Sequence, residues 1–479
     1  MKKVFLFIFI SFGLFSGVFS QQAGIYPQSK EYKWPDDPKV LTKLDQWQDL
    51  KFGMIIHWGL YAVSGVIESW GLCSEDWISR PDSMSYEQYK KWYWGQKDQF
   101  NPVSFDPYQW ARSASDAGMK YVVFTTKHHD GFNMFDTRQS NFKITNGPFA
   151  NHPMANVAKY VFDAFRGQGF MIGAYFSKPD WHSQDFWWDK YATPNRNVNY
   201  DIRKFPDRWK HYQDFTYQQI SELMHDYGSV DILWLDGGWV RPRETVNKEV
   251  LSWGAPIPDF DQKIDMPKIA EMARNAQPGL IIVDRTVHGT YENYQTPERS
   301  IPDNQLPYPW ESCITLGNNW GFVPGEQYKS SAKVIDDLIE IVAKGGSLLL
   351  GIGPKPDGTL ASDAVKVMKE IGGWLSVNGK AIYNTRITPN YRDGEVFFTA
   401  GKDGNMYALC RLEENAKVPK TMKWQGNLPR KGSSMILLSN GRKVKWKAEN
   451  NEVIVEIPAS FVLKNTASPA LCFEFTPDK

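Results

Sequence analysis

Several features that would assign a chain of 479 residues to a functional class are scarce here. There are only four cysteines and eight histidines. None falls in a His-x-His, His-x-x-x-His or Cys-x-x-Cys spacing, so the usual pattern of a zinc site is missing and no metal or other cofactor is expected. Neither sign of charge dominates: 55 Lys and Arg face 54 Asp and Glu, for a formal charge of +1. That balance excludes the clustered positive charge of a nucleic-acid binder or a polybasic membrane binder. Beyond the first twenty residues no apolar run is long enough to span a bilayer. What the chain has in quantity is aromatic surface, at 15% of residues with 20 Trp. Broad, weakly polar rings suit stacking on sugars, although most serve to fill a core of this size.

The start reads as a targeting segment. Met1-Lys2-Lys3 precedes VFLFIFISFGLFSGVF, with Val18 and Ser20 as small residues before Gln21. This is the pattern of a cleaved signal peptide over residues 1–20. Its removal takes away two lysines and turns the charge from +1 to −1. The mature protein is then expected to be exported, periplasmic or secreted, with no membrane insertion after cleavage. No Cys follows the run, so a lipoprotein is not read. In an exported protein Cys410 and Cys472 could pair, since both sit in strand-like runs. A chain of this length needs no such staple, and the reading favours four buried thiols, Cys73 and Cys313 included.

Between about 50 and 375, apolar runs alternate with helical periodicity. The strand-like runs are 52–59, 120–132, 170–177, 231–238, 279–285, 310–316 and 347–353. Each is nearly continuous apolar sequence, as in parallel strands buried on both faces. Helices are predicted over 107–119, 156–167 and 214–227, from the N-cap Asp265, and from Ser331 to Gly345-Gly346. The alternation reads as a (β/α)8-like barrel or an open α/β sheet. Polar residues crowd the carboxyl ends of the runs, where a barrel places its active site, and this favours the barrel. After about 380 the runs become short and closely spaced, with turns at Asp403-Gly404 and Asn450-Asn451 and no helix between them. This predicts an antiparallel β-sandwich. The expected domains are a barrel over 28–376 and a sandwich over 380–479.

Asp236 ends the run DILWL and precedes Gly237-Gly238, a position suited to a nucleophile. A turn-capping Asp would look the same. Sugar hydrolysis needs a second carboxyl group from another strand or loop. Glu298 and Glu292 both lie in the loop after Arg285, and spacing does not choose between them. Pro297 stiffens the backbone at Glu298 and favours it. Glu311 stands at a strand start, the wrong end of a barrel. His128-His129-Asp130 and His57 offer either a metal site or donors to hydroxyls, and the missing ligand spacing favours donors. Neighbours on a strand point to opposite faces, so only one of the His pair is expected at a common ligand unless a bulge intervenes. Trp234 projects to the same side as Asp236.

At these residues the chain resembles the α-L-fucosidases of glycoside hydrolase family 29. The matching segments are KFGMIIHWGLYAVSG, SEDWISR, KYVVFTTKHHDGFNMFDT, GAYFSKPDW, ILWLDGGW, VDRT, WESCITLGNNWGF and GGSLLLGIGPKPDG, in family order over roughly 50–360. The resemblance implies a barrel followed by a β-sandwich. It implies an exo-acting, retaining hydrolase that releases terminal α-L-fucose from an oligosaccharide or glycoconjugate through a covalent intermediate. Carried over by motif, Asp236 would be the nucleophile and Glu298 the acid/base. His57, His128, His129, Tyr175 and Arg285 would bind the sugar. Trp234 and Trp239 would flank it, and Glu75-Asp76-Trp77 stands at the family's Glu-Trp segment.

Overall fold

A computed structural model describes residues 31–75, 80–414, 416–464 and 468–478. The leader read at 1–20 and Trp77 lie outside them. Seven parallel strands form one sheet: β1 (Phe52–Ile56), β2 (Tyr121–Lys127), β3 (Met171–Ser177), β4 (Ile232–Asp236), β5 (Ile281–Asp284), β6 (Glu311–Thr315) and β7 (Ser347–Ile352). Their order across the sheet is β5-β4-β3-β2-β1-β7-β6. All seven match strand-like runs of the sequence. Near-complete burial of each strand explains why the apolar runs are unbroken rather than alternating.

The sheet curls so that β5 and β6 approach each other, and residues 291–299 close the gap between them. This seam is not a regular strand. Its first part runs antiparallel to β5, with Asp284 N–H donating to Tyr291 O and Asn293 N–H to Ile282 O. It then turns and follows β6, with single bridges from Gln295 to Trp310 and from Glu298 to Cys313. Pro297 has no N–H to offer a longer ladder. Tyr294 anchors the seam by stacking on Trp47, with ring centroids 4.1 Å apart. Trp47 comes from the helix Pro38–Leu50, which starts at Pro38 with Asp37 as its cap and plugs the bottom of the barrel. Trp47, Tyr121, Tyr175, Trp234, Tyr294 and Cys313 belong to one buried cluster inside it.

The helices lie outside the strands, on their apolar faces. One starts well before its expected position. The helix expected at 214–227 runs Pro206–Asp226, because Pro206 fits its first turn and Trp209 and Tyr212 extend its buried face. Ser362–Asn378 is the last α-helix before the C-terminal strands.

Among its described residues the C-terminal region contains nine strands: β8 (Thr385–Arg386), β9 (Arg392–Asp393), β10 (Val396–Gly401), β11 (Met406–Arg411), β12 (Thr421–Gln425), β13 (Met435–Leu437), β14 (Arg442–Glu449), β15 (Glu452–Glu456) and β16 (Ala470–Phe475). β14 makes the sandwich. Its first residues pair with β13 and its last five with β15, so it passes from one layer to the other. Trp424, Phe398, Phe473 and Phe475 fill the space between the layers. A short helix, Ala459–Lys464, interrupts the region expected to be free of helix. All four cysteines are free and buried. Cys410 faces Leu471 and Cys472 faces Leu409 in the β11–β16 register, so the two thiols point to opposite faces and lie in different cores. The sandwich packs on the barrel, with the Trp374 indole donating to Ala470 O and Arg411 paired with Glu340. Among the described residues, no helix is long and apolar enough to cross a membrane.

Candidate active site

Adjacent strand ends deliver their polar groups to one mouth. β4 ends at Asp236, β5 is followed at once by Arg285, β3 presents Tyr175 and Ser177, and His57 follows β1. Asp236 Oδ1 accepts from Arg285 Nη1 at 2.8 Å, and Oδ2 accepts from the Tyr175 hydroxyl at 2.7 Å. The seam brings Glu298 to the same guanidinium, whose Nη2 donates to Glu298 Oε2 at 2.9 Å. Thr296 Oγ1 accepts from Arg285 Nε at 3.0 Å and fixes the plane of the group. One arginine therefore bridges two carboxylates from different elements.

The charge on Asp236 has clear sources. Burial opposes it, but Arg285, the Tyr175 hydroxyl and the Gly237 N–H together hold the carboxyl well below its ordinary range. An opposite charge at about 4 Å is worth roughly 4 kcal/mol at an effective dielectric constant of 20, enough to offset substantial desolvation. Gly237 is in the left-handed region, with φ 87°, and a Cβ there would sit 2.2 Å from Pro179. Only glycine lets the chain turn away so closely behind the carboxylate.

Both histidines of the pair reach the site. The β2–β3 register shifts between Thr125 and Lys127, and this irregularity removes the expected alternation. The His128 and His129 rings lie 4.3 Å apart, and His129 Nε2 is 3.8 Å from Asp236 Oδ2. Ser69 Oγ bonds His128 Nδ1 at 2.5 Å, and Ser177 Oγ bonds His129 Nδ1 at 2.8 Å. His57 packs against Tyr175 and Trp320. Burial pushes His128 down to about 4 and His57 and His129 further below their usual value. All three are neutral at ordinary pH, as groups that donate to or accept from hydroxyls should be.

The aromatic residues separate into two sets. Trp239 and Trp70 form a wall around His129, with centroid distances of 5.1 and 5.2 Å. The Arg196 guanidinium lies over both indoles. Glu75 pairs with that guanidinium through both oxygens, so it braces the wall. Trp234, expected beside the ligand, belongs with Tyr175 to the buried cluster inside the barrel. It stacks on Tyr175, lies 4.4 Å below the Arg285 guanidinium, and donates from Nε1 to Glu311. Glu311 is buried at the base of β6, where it also accepts from Tyr121, and burial pushes its carboxyl up to about 7. Glu292 is also buried: Oε1 accepts from Thr286 N and Oε2 meets His288. It braces the Arg285 turn and leaves Glu298 as the carboxylate joined to Asp236.

Glu68, Arg196, Arg241, Thr296 and Trp320 were not singled out from sequence. Trp320 donates from Nε1 to Glu298 Oε1 at 3.3 Å, and Glu68 holds the Trp320 and Gly321 N–H groups. Burial pushes Glu68 up to about 7. The available signals were the segment GNNWGF and a carboxylate eleven residues after His57, and neither has a spacing rule. His128, His129 and Asp236 also present three possible metal-ligand atoms within 4.8 Å of one another. A cation there would compete with Arg285 and Tyr175 for both oxygens of Asp236, so the donor set fits a metal poorly.

The model of the family described as Alpha-L-fucosidase matches residues 19–380. The chain belongs to the α-L-fucosidase family. Human plasma alpha-L-fucosidase is 27% identical over 449 residues, covering 87% of this chain and 86% of that protein. An alpha-L-fucosidase of Dictyostelium discoideum is 25% identical, covering 76% and 77%. Among solved structures, alpha-L-fucosidase isoenzyme 1 from Paenibacillus thiaminolyticus superposes with a TM-score of 0.73 at 27% identity, covering 92% of this chain and all of that one. A Bacteroides thetaiotaomicron enzyme of family GH29, trapped as a covalent intermediate with 2-fluoro-fucosyl fluoride, shares the fold with a TM-score of 0.69 at 21% identity, covering 95% and 99%. This α-L-fucosidase family member thus has relatives that match both its barrel and its C-terminal region.

Proposed function

We propose that the protein is an exo-acting, retaining α-L-fucosidase that removes terminal fucose from oligosaccharides or glycoconjugates. The observation that carries this reading is the bridge from Asp236 through Arg285 to Glu298. Two carboxylates on one guanidinium fit the short separation of a retaining enzyme, roughly 5–5.5 Å, better than the wider gap that an inverting enzyme needs for water.

Asp236 attacks the anomeric carbon as Glu298 protonates the departing oxygen, giving a fucosyl ester and a free alcohol. Glu298 then takes a proton from water, the oxygen attacks the same carbon, and the Asp236–carbon bond breaks. Two inversions give net retention. The Tyr175 hydroxyl and Arg285 hold Asp236 ionised and aimed. The neutral His57, His128 and His129 meet the sugar hydroxyls, and the Trp70–Trp239 wall suits the methyl group of a 6-deoxy sugar. The apolar leader supports export to the periplasm or beyond.

Trapping with a fluorinated fucosyl fluoride, followed by peptide mapping, tests the reading. The expected result is one fucosyl ester on the peptide containing Asp236. A label on another residue overturns the nucleophile, and absence of fucoside hydrolysis overturns the activity.

A further inference from the structure

Asp236 and Arg285 stand at the ends of neighbouring strands, and the turns that follow them would be free to move apart if nothing joined them. Arg241 joins them. Its side chain is buried, with 2% exposure. Nε donates to Gly238 O at 2.5 Å, two residues after Asp236. Nη2 donates to Thr286 O at 2.7 Å and to Thr286 Oγ1 at 3.2 Å, one residue after Arg285. Nη1 reaches Thr245 O at 3.4 Å, and the group lies over the Trp253 ring.

Both turns are shaped for this contact. Thr286 is in the left-handed region, with φ 63°, which a β-branched residue adopts at a cost. Its N–H is held by Glu292 while its carbonyl meets Arg241. A Cβ on Gly238 would sit 2.0 Å from Thr286 Oγ1, so the two turns touch where Arg241 crosses them.

We propose that Arg241 is a positioning residue for the reaction. It ties the turn after the nucleophile to the turn after Arg285, and so fixes the Arg285–Asp236 pairing without touching substrate. The fork of the guanidinium is essential, because three donors in one plane span two backbones. Lysine carries the same charge on one tip and cannot do so.

The inference rests on the fucosidase reading, and its test separates the two. The full-length mature protein is assayed with 4-nitrophenyl α-L-fucoside across pH. Arg241→Lys lowers kcat about 100-fold, the scale of a displaced reacting group, and kcat changes more than KM. The acid limb of kcat/KM moves to higher pH, because a looser Arg285 leaves the Asp236 carboxyl easier to protonate. Guanidinium ion restores part of the rate of Arg241→Ala. If Arg241→Ala fails to fold, the lysine variant decides alone. Wild-type rate and an unmoved acid limb in Arg241→Lys overturn the role of Arg241. A folded Arg241→Ala that guanidinium does not rescue also overturns it. Failure of the wild type to cleave the fucoside overturns the fucosidase reading itself.

Discussion

Asp236 and Glu298 meet on one guanidinium, yet the backbone delivers them in opposite ways. β4 is bonded on both sides, with Tyr175 paired to Trp234 and Trp234 to Val283 in continuous ladders. Asp236 is thus fixed by the register of the whole barrel. Glu298 sits on a seam held by single bridges, by Tyr294 on Trp47 and by its side-chain bonds to Arg285 and Trp320. The nucleophile proposed at Asp236 is placed by a strand and the proton donor proposed at Glu298 by local contacts, so the two should respond differently to substitution.

The largest effect tests the strand side. Asp236→Gly lowers turnover roughly 10⁴-fold or more, the scale seen when a nucleophile is deleted, and added azide restores part of it. A near-normal rate would remove Asp236 from the chemistry. Glu298→Gln costs roughly 10²–10⁴-fold on fucosylated glycans, as expected for general acid catalysis. The loss is much smaller on substrates with a good leaving group. If both variants depend on the leaving group to the same degree, the division of labour is wrong.

Trp320→Phe is a milder probe of the seam. It deletes the indole donor to Glu298 and lowers turnover of glycans by up to about tenfold, the scale of one hydrogen bond, with no change in melting temperature. A fall in melting temperature that matches the lost activity would make Trp320 a packing residue only.

The smallest effect concerns the base of the barrel. Glu311 is raised from 4.5 to about 7 by burial, so the folded state holds its proton more tightly than the unfolded chain does. Its contribution to stability is complete below 4.5 and is lost as pH rises through about 7. Glu311→Gln removes that dependence, and the melting temperature should then vary less between these two pH values. An unchanged pH profile would show that Glu311 does not titrate in this range.

The two kinds of backbone also explain what could be read from sequence. Residues at the ends of buried parallel strands, His57, Tyr175, Asp236 and Arg285, were legible because an unbroken apolar run marks where its strand stops. Asp236 stood out further because glycines follow it, and Gly237 and Gly238 prove to be required by Pro179 and Thr286. Glu298 and Glu292 could not be separated by spacing, since the seam has no period. Their difference lies in partners: Glu298 finds Arg285, and Glu292 finds Thr286 and His288. Strand alternation alone would admit only one of His128 and His129; the bulge that admits both lies just before them, where the register slips. Trp234 follows the alternation and comes to lie against Arg285 and Tyr175. Glu68, Arg196, Arg241 and Trp320 act across loops distant in sequence, where no periodicity connects the partners.

A seam outside the ladder also changes what insertion and deletion can do. Lengthening β4 by one residue would turn a whole row of side chains inside out. Lengthening the stretch between Arg285 and Pro297 would leave the pairings among β1–β7 intact, but it would break the seam's own bonds to β5 and β6 and shift the carboxylate that the seam carries over the mouth. The leaving-group preference proposed for this site can therefore drift with loop length while Asp236 stays where its strand holds it.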